Sequence, residues 1–333
     1  MTRVVLPFSL WTCQGPETQF LSQAKLPHWR AWLARAQRTQ VLRDAEPSDG
    51  RLATFTPPHE RVLAQAQGWV EQQGGDGCAD ADVRDGCLPW AALAAAETGG
   101  DGSLPWAFIS LCHWHVSNGQ VTLMDPAALR LDAATDQALF QAMQVFFAED
   151  GIVLHPYRTG LWLAQSALFA QLPTASLDRV IGRNIDPWLV EQRVLRRLQN
   201  EMQMLLYNHP VNDGRALPIN SFWVHGAGAL PHAGASAGNT LTRRASQVPD
   251  ADCVAALRTA ALQQDLMAWL AAWEAVDAQV IQPLLASAQP PTEWVLCGEQ
   301  EAHVYRAGAP SWWQRLRHGF QPLAMQDVIG VRS

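Results

Sequence analysis

HPVNDGRALPINSFWVHGAG, residues His209 to Gly228, sets a polar loop in front of an apolar strand and leaves that strand through Gly226-Ala227-Gly228. The strand reading rests on Ser221-Phe222-Trp223-Val224-His225-Gly226, a short run rich in aromatic and β-branched side chains. The loop carries His209, Asn212, Asp213, Arg215 and Asn220. From such a loop, side chains reach a sheet's rim, where Arg offers a two-pronged grip on a carboxylate or phosphate and Asn both donates and accepts. The same residue types also cap helix ends and bond loop backbone, so both readings stand. The Gly-x-Gly turn brings backbone N–H groups toward an anion, yet it lacks the third Gly and the helix of a dinucleotide site.

Outward from this segment, PWLVEQRVLRRLQNEMQMLLYNH reads as a helix leading into the loop. The 25 or so residues after Gly228, dominated by Ala, Gly, Ser and Thr, read as a mobile loop. AALQQDLMAWLAAWEAVDAQVIQPLL then presents Leu266, Trp269, Leu270, Trp273, Val276, Val280 and Leu284 along one helical face. WVLCG is the expected last core strand, with HVYRA as an edge, and RVVLPFSL is the expected first strand. A helix through Trp29, Trp32 and Leu33 comes after that opening, and TPPHERVLAQAQGW gives a short helix opened by its prolines and closed by Gly68. Residues 71 to 102 read as Gly- and Asp-rich excursions around one Ala-rich helix. From Leu104, two alternating runs flank Ser117-Asn118-Gly119, a hairpin signal, and lead to the helix TDQALFQAMQVFFAEDG and two more strands around IVLHPYR and GLWLA.

Composition narrows the function classes. The chain has 333 residues, 48% of them hydrophobic, enough for two ordinary domains without covalent staples. Its formal charge of −7 is spread along the chain, which gives no basic surface for nucleic acid. Six cysteines, none in a CxxC pair, fit reduced thiols better than a disulfide framework or a zinc site. Leu10-Trp11-Thr12-Cys13 has the outline of a lipoprotein cleavage site, but one basic residue and a short apolar run precede it. No stretch has the 18 or so apolar residues of a bilayer span, so the expected location is the cytoplasm. Fifteen tryptophans against three tyrosines read as large apolar wedges filling the core.

Two further signals carry less. His113 and His115 alternate along a strand and share one face, as two metal ligands do, but without an evident third ligand they read as core or rim histidines. Cys112 has no paired base, so it reads as structural rather than nucleophilic.

HPVNDGRALPINSFWVHGAG resembles the HPVN…R…PAN…W…GAG signature of the archaeal-type, cofactor-independent phosphoglycerate mutases of the alkaline phosphatase superfamily. Other segments fall in the same order: KLPHWRAWLARA, LPWAFISLCHWHVSNGQ, PTASLDRVIGRNID, and AWEAVDAQVIQPLL with WVLCGEQEAH after it. The Trp-rich version also resembles a proteobacterial group labelled as regulatory or phosphoglycerate-mutase-like proteins. The resemblance implies an α/β fold with an alkaline-phosphatase-like central sheet flanked by helices, the core at 1–103 and 188–333, and an inserted α+β domain at 104–187.

The family's reaction uses two divalent metals held by Asp and His at strand ends, which activate a serine. This chain departs from the pattern there. Leu6-Pro7-Phe8-Ser9 stands where the first strand should end in Asp-Gly, His59 of Pro57-Pro58-His59-Glu60 stands at the serine, and Gly298-Glu299 replaces a late Asp-His pair. GASAGNTLTRRASQ offers no counterpart to the preceding Asp-x-x-x-His. The expectation is therefore a bacterial pseudoenzyme without metal or other cofactor. It would bind a phosphorylated small molecule or a partner protein through His209, Asn212, Arg215 and Asn220, with Arg158 added from the inserted domain. The alternative is a metal-independent phosphotransferase or phosphomutase in which His59 accepts phosphate and Glu60 orients it.

Overall fold

The structure, a computed structural model, describes residues 3–13, 18–44, 54–69, 84–231, 246–308 and 326–332. Cys78, residues 71–83 of the Gly- and Asp-rich stretch, and residues 232–245 of the segment expected to be a mobile loop lie outside the described residues. The end of that segment forms the strand Ser246–Gln247 and opens the helix Asp252–Leu262. The fold is α/β, and the chain divides into two compact units: Met1–Glu46, Pro57–Gln72 and Gly238–Ser333 form one, Pro47–Thr56 and Gln73–Ala237 the other. No helix among the described residues is long and apolar enough to cross a membrane.

The first unit holds a five-stranded sheet in the order Ser246–Gln247, Arg3–Leu6, Glu293–Cys297, Glu301–Ala307, Ala36–Arg43. The first three strands are parallel, and the last two continue antiparallel. Val4 and Leu6 face one side and Val5 the other, as strand alternation requires. Val5, Val295, Cys297 and Val304 pack with Val62 of the helix Pro58–Ala66. The opposite face meets the helices Pro27–Leu33, Asp252–Leu262 and Leu266–Val276. HVYRA is an inner strand rather than the expected edge, because Ala36–Arg43 pairs outside it. That edge strand escapes a sequence reading because its residues are mostly polar and exposed, with no alternation to reveal it.

The tryptophans fill this core as the composition implies. Trp29 stacks on Trp32 with centroids 5.0 Å apart and meets Trp294 edge-on at 5.6 Å, while Trp269 and Trp273 are fully buried. Each such indole removes roughly 200 Å² from water, about 5 kcal/mol of apolar transfer before the cost of ordering it. The long helical stretch through these residues is interrupted twice. Gln264 adopts φ 57 between two helices, and Asp277–Ile281 forms a π-turn just before Pro283. Pro283 has no N–H and its ring crowds the preceding turn, and widening that turn is one way to accommodate it. The π-turn faces Asp277 inward, at 1% exposure. There its carboxylate accepts from the His28 and Trp29 amides at 3.1 and 2.7 Å and contacts His28 Nδ1 at 2.9 Å, capping the helix Pro27–Leu33.

The second unit is built on an antiparallel sheet in the order Val153–Arg158, Leu161–Gln165, Trp106–Cys112, Ser221–Gly228. Ile109, Leu111, Trp162, Phe222 and Val224 form one face against the helices Ala133–Glu149 and Arg193–Tyr207. The other face carries Trp106 and Leu163 under the Ala-rich helix Trp90–Glu97. Asn118 and Gly119 both take positive φ in the small hairpin Trp114–Ser117/Gln120–Leu123, as the Asn-Gly signal implies. The compact units differ from the expected division at 104 and 187. Ser221–Gly228, assigned in advance to the core, hydrogen-bonds along Trp106–Cys112, and Arg193–Tyr207 covers the same sheet, so that sheet is incomplete without residues beyond 187.

Replacing Asp277 with Ala should lower the unfolding free energy by about 2 kcal/mol in urea titrations, because two helix amides lose a buried charged acceptor. Asp265→Ala, which removes an exposed cap from the helix Leu266–Val276, should cost about 1 kcal/mol.

Candidate functional site

Open parallel sheets bind ligands beyond the carboxyl ends of their strands. In the first unit those ends belong to Arg3–Leu6 and Glu293–Cys297, from which the chain continues into Pro7-Phe8-Ser9 and Gly298-Glu299. This rim is closed by the chain itself. The Ser9 amide donates to the Cys297 carbonyl at 2.8 Å. The Ser9 hydroxyl donates to the Leu6 carbonyl at 2.6 Å and accepts from the Cys297 amide at 3.0 Å, at 0% exposure. The indole N–H groups of Trp269 and Trp273 donate to the Phe8 and Ser9 carbonyls at 2.7 and 3.0 Å. A Cβ on Gly298 would lie 3.0 Å from that of Leu10, which leaves no room for a side chain there without a shift.

Phe8 has φ 55, a left-handed conformation that costs an L-residue roughly 1 kcal/mol. Its buried ring lies 5.5 Å from the imidazole of His59. His59 is 6% exposed in the first turn of Pro58–Ala66, and Glu60 beside it puts a carboxylate at the positive end of the helix dipole. Burial pushes the Cys297 thiol above its ordinary range. Among the described residues no three His, Cys, Asp or Glu side chains gather to hold a metal ion.

The loop 209–220 lies in the second unit, and its polar residues are bonded mainly to backbone. Asn212 donates to the carbonyls of Leu206 and Ile219 and accepts from the Ile219 amide, all at 2.8 Å. Asn220 accepts from the Trp114 amide at 2.7 Å and donates to the Trp114 carbonyl at 2.9 Å, continuing the strand ladder with a side chain. His209 Nδ1 accepts from the Val211 amide at 3.2 Å, which leaves the ring proton on Nε2 when the ring is neutral. Arg215 donates to the Leu129 carbonyl. The Asp132 carboxyl is held below its usual range chiefly by hydrogen bonds from Thr135, with the Arg215 charge a smaller contributor. Arg158 is exposed and lies over the Tyr157 ring at 5.0 Å.

Other groups have no sequence signal that singles them out. Ser110 and His225 sit on neighbouring strands, with Oγ 2.8 Å from Nε2. Desolvation pushes the His225 imidazole down to about 4, opposed by the charge of Asp178. Their pairing depends on strand register, which one sequence does not display. Arg179, 1% exposed, donates to Thr54 Oγ1 and the Thr56 carbonyl at 3.0 and 2.9 Å. An open groove of about 1480 Å³ in this unit is lined by Arg84, Arg193 and Arg196 together with Leu172, Leu189 and Glu191, and by none of the residues singled out in advance.

Two outcomes are expected. Ser9→Ala should destabilise the protein by about 1–3 kcal/mol in denaturant melts, because the Cys297 amide loses its buried acceptor. The second concerns pH. His225 is neutral when folded and ordinary when unfolded, so unfolding takes up a proton between about pH 4 and 6.5. Stability from this group is complete above 6.5 and declines as pH falls toward 4. His225→Gln should flatten that slope, leaving the part due to His303, whose imidazole burial also pushes down.

No protein-family model matches the chain, and no curated protein does. Among solved structures, a cofactor-independent phosphoglycerate mutase from Thermoplasma acidophilum DSM 1728 is similar over 92% of this chain and 89% of its own, at 15% identity and a TM-score of 0.34. At that score and identity the likeness carries no argument about fold or chemistry.

Proposed function

We propose that this chain is a phosphoglycerate-mutase-like protein of alkaline-phosphatase-like design whose phosphoryl-transfer site is closed, and that it acts in the cytoplasm as a non-catalytic binding or regulatory protein. The reading rests on the motif resemblance at 209–228 and on one structural observation. The strand ends at which the resembled family holds its metals are here occupied by Phe8 and Ser9, whose carbonyls are bonded by the indoles of Trp269 and Trp273. The residues present do not fit a two-metal centre. Ser9 is committed to Leu6 and Cys297, Phe8 is apolar, and Gly298 has no donor side chain.

Phosphoryl transfer through His59 is the weaker reading, because a nucleophilic imidazole has to meet its substrate and this ring is buried against Phe8. For a phosphorylated ligand, the polar edges still open are those of Arg158 and the half-buried His209, while Asn212, Arg215 and Asn220 hold the loop in shape. A partner protein is the other class of ligand.

Purified protein supplied with Mn²⁺ should not interconvert 2- and 3-phosphoglycerate in a coupled assay, and measurable turnover would overturn the reading. Incubation with a labelled phosphoryl donor should leave both wild type and His59→Ala unlabelled. Label on wild type alone would establish the histidine route instead.

A further inference from the structure

The junction between Trp106–Cys112 and Trp114–Ser117 carries a feature that this function does not use. His113 is fixed there from several sides. Its carbonyl accepts from the Met124 amide at 3.0 Å, and the neighbouring Cys112 and Trp114 are held by Asn220. Its ring nitrogen Nδ1 lies 2.7 Å from the Pro218 carbonyl oxygen. A carbonyl only accepts, so Nδ1 must carry the proton, and in the neutral ring the lone pair is left on Nε2. This is the arrangement by which a backbone carbonyl orients and polarises a metal-ligating histidine.

His115 comes two residues later, its ring centroid 6.2 Å from that of His113 and tilted by 32°. It is exposed, its backbone pairs with Thr122 in the hairpin, and among the described residues its ring makes no hydrogen bond. With a metal–nitrogen bond of about 2 Å, a shared ion lies roughly 3 Å from each ring centre, which needs centroids about 5 Å apart. The observed spacing is close enough for a side-chain rotation of the unrestrained His115 to complete it.

We propose that His113 and His115 chelate a divalent cation that favours imidazole, such as Cu²⁺, Ni²⁺ or Zn²⁺, with His113 the preoriented ligand and His115 the closing one. Two neutral imidazoles suit these ions rather than Mg²⁺ or Ca²⁺, and affinity should follow the order in which Cu²⁺ binds tightest. No third His, Cys, Asp or Glu joins the pair among the described residues, so the remaining positions fall to water or to a donor atom of a bound molecule.

The test uses tag-free protein stripped with a chelator and titrated with Cu²⁺ or Zn²⁺ by calorimetry. Wild type should take up about one equivalent, and His115→Ala should bind at least tenfold more weakly while keeping the metal-free melting temperature, since that ring makes no hydrogen bond. His113→Ala should also lose binding. It should melt earlier as well, because the Pro218 carbonyl loses its donor, so His115→Ala is the variant that separates chelation from folding. The proposal is overturned if the double variant binds as tightly as wild type, if His115→Ala binds unchanged, or if wild type takes up no metal.

Discussion

Two indole N–H groups reach into the end of a parallel sheet and bond the carbonyls of Phe8 and Ser9, and much of the first unit depends on that requirement. A carbonyl at a buried strand end must find a donor, and water is the usual one where a ligand cleft lies open. Here Trp269 and Trp273 supply it from a single helix, four residues apart on one face, so the helix is pinned to the sheet in both position and rotation. The Ser9 hydroxyl and the left-handed turn at Phe8 complete the seal. Tryptophan suits this role because it joins a large apolar surface to a single N–H donor.

The second unit solves a similar problem with amides. Asn212 and Asn220 have a donor and an acceptor on each side chain, and both use the two together to hold backbone that no strand partner reaches. The HPVN-to-GAG signature that resembles a ligand motif in the sequence is in three dimensions a stitched loop. These polar residues are needed by the loop itself, because removing them leaves backbone groups unpaired.

Much of the framework was legible beforehand. Strands Arg3–Leu6 and Glu293–Cys297, the hairpin at Asn118-Gly119 and the apolar face from Trp269 to Val280 are set by periodicity and turn chemistry. What stayed hidden depends on pairing over long distances in the chain. The edge strand Ala36–Arg43 has no apolar pattern of its own, and Ser221–Gly228 completes a sheet begun more than a hundred residues earlier. The candidate site shows the same divide. That Leu6–Ser9 carries no carboxylate is readable letter by letter, whereas the indoles that bond the Phe8 and Ser9 carbonyls come from a helix more than 250 residues later. His113 is intermediate: its spacing from His115 is visible in the sequence, but the carbonyl that sets its tautomer is not.

The strand Arg3–Leu6 lies between partners that follow it by more than 240 positions, with Arg3 and its carboxylate partner Glu293 separated by 290. Most of the second unit, Gln73–Ala237, is contiguous and has emerged from the ribosome before Gly238–Ser333, the larger part of the first unit, exists. The nascent chain therefore carries an unpaired apolar strand and two stacked-core tryptophans, Trp29 and Trp32, until those partners are made. Pairing at this sequence distance has a high loop-closure cost, so the parallel part of the sheet is the slow step in folding the first unit.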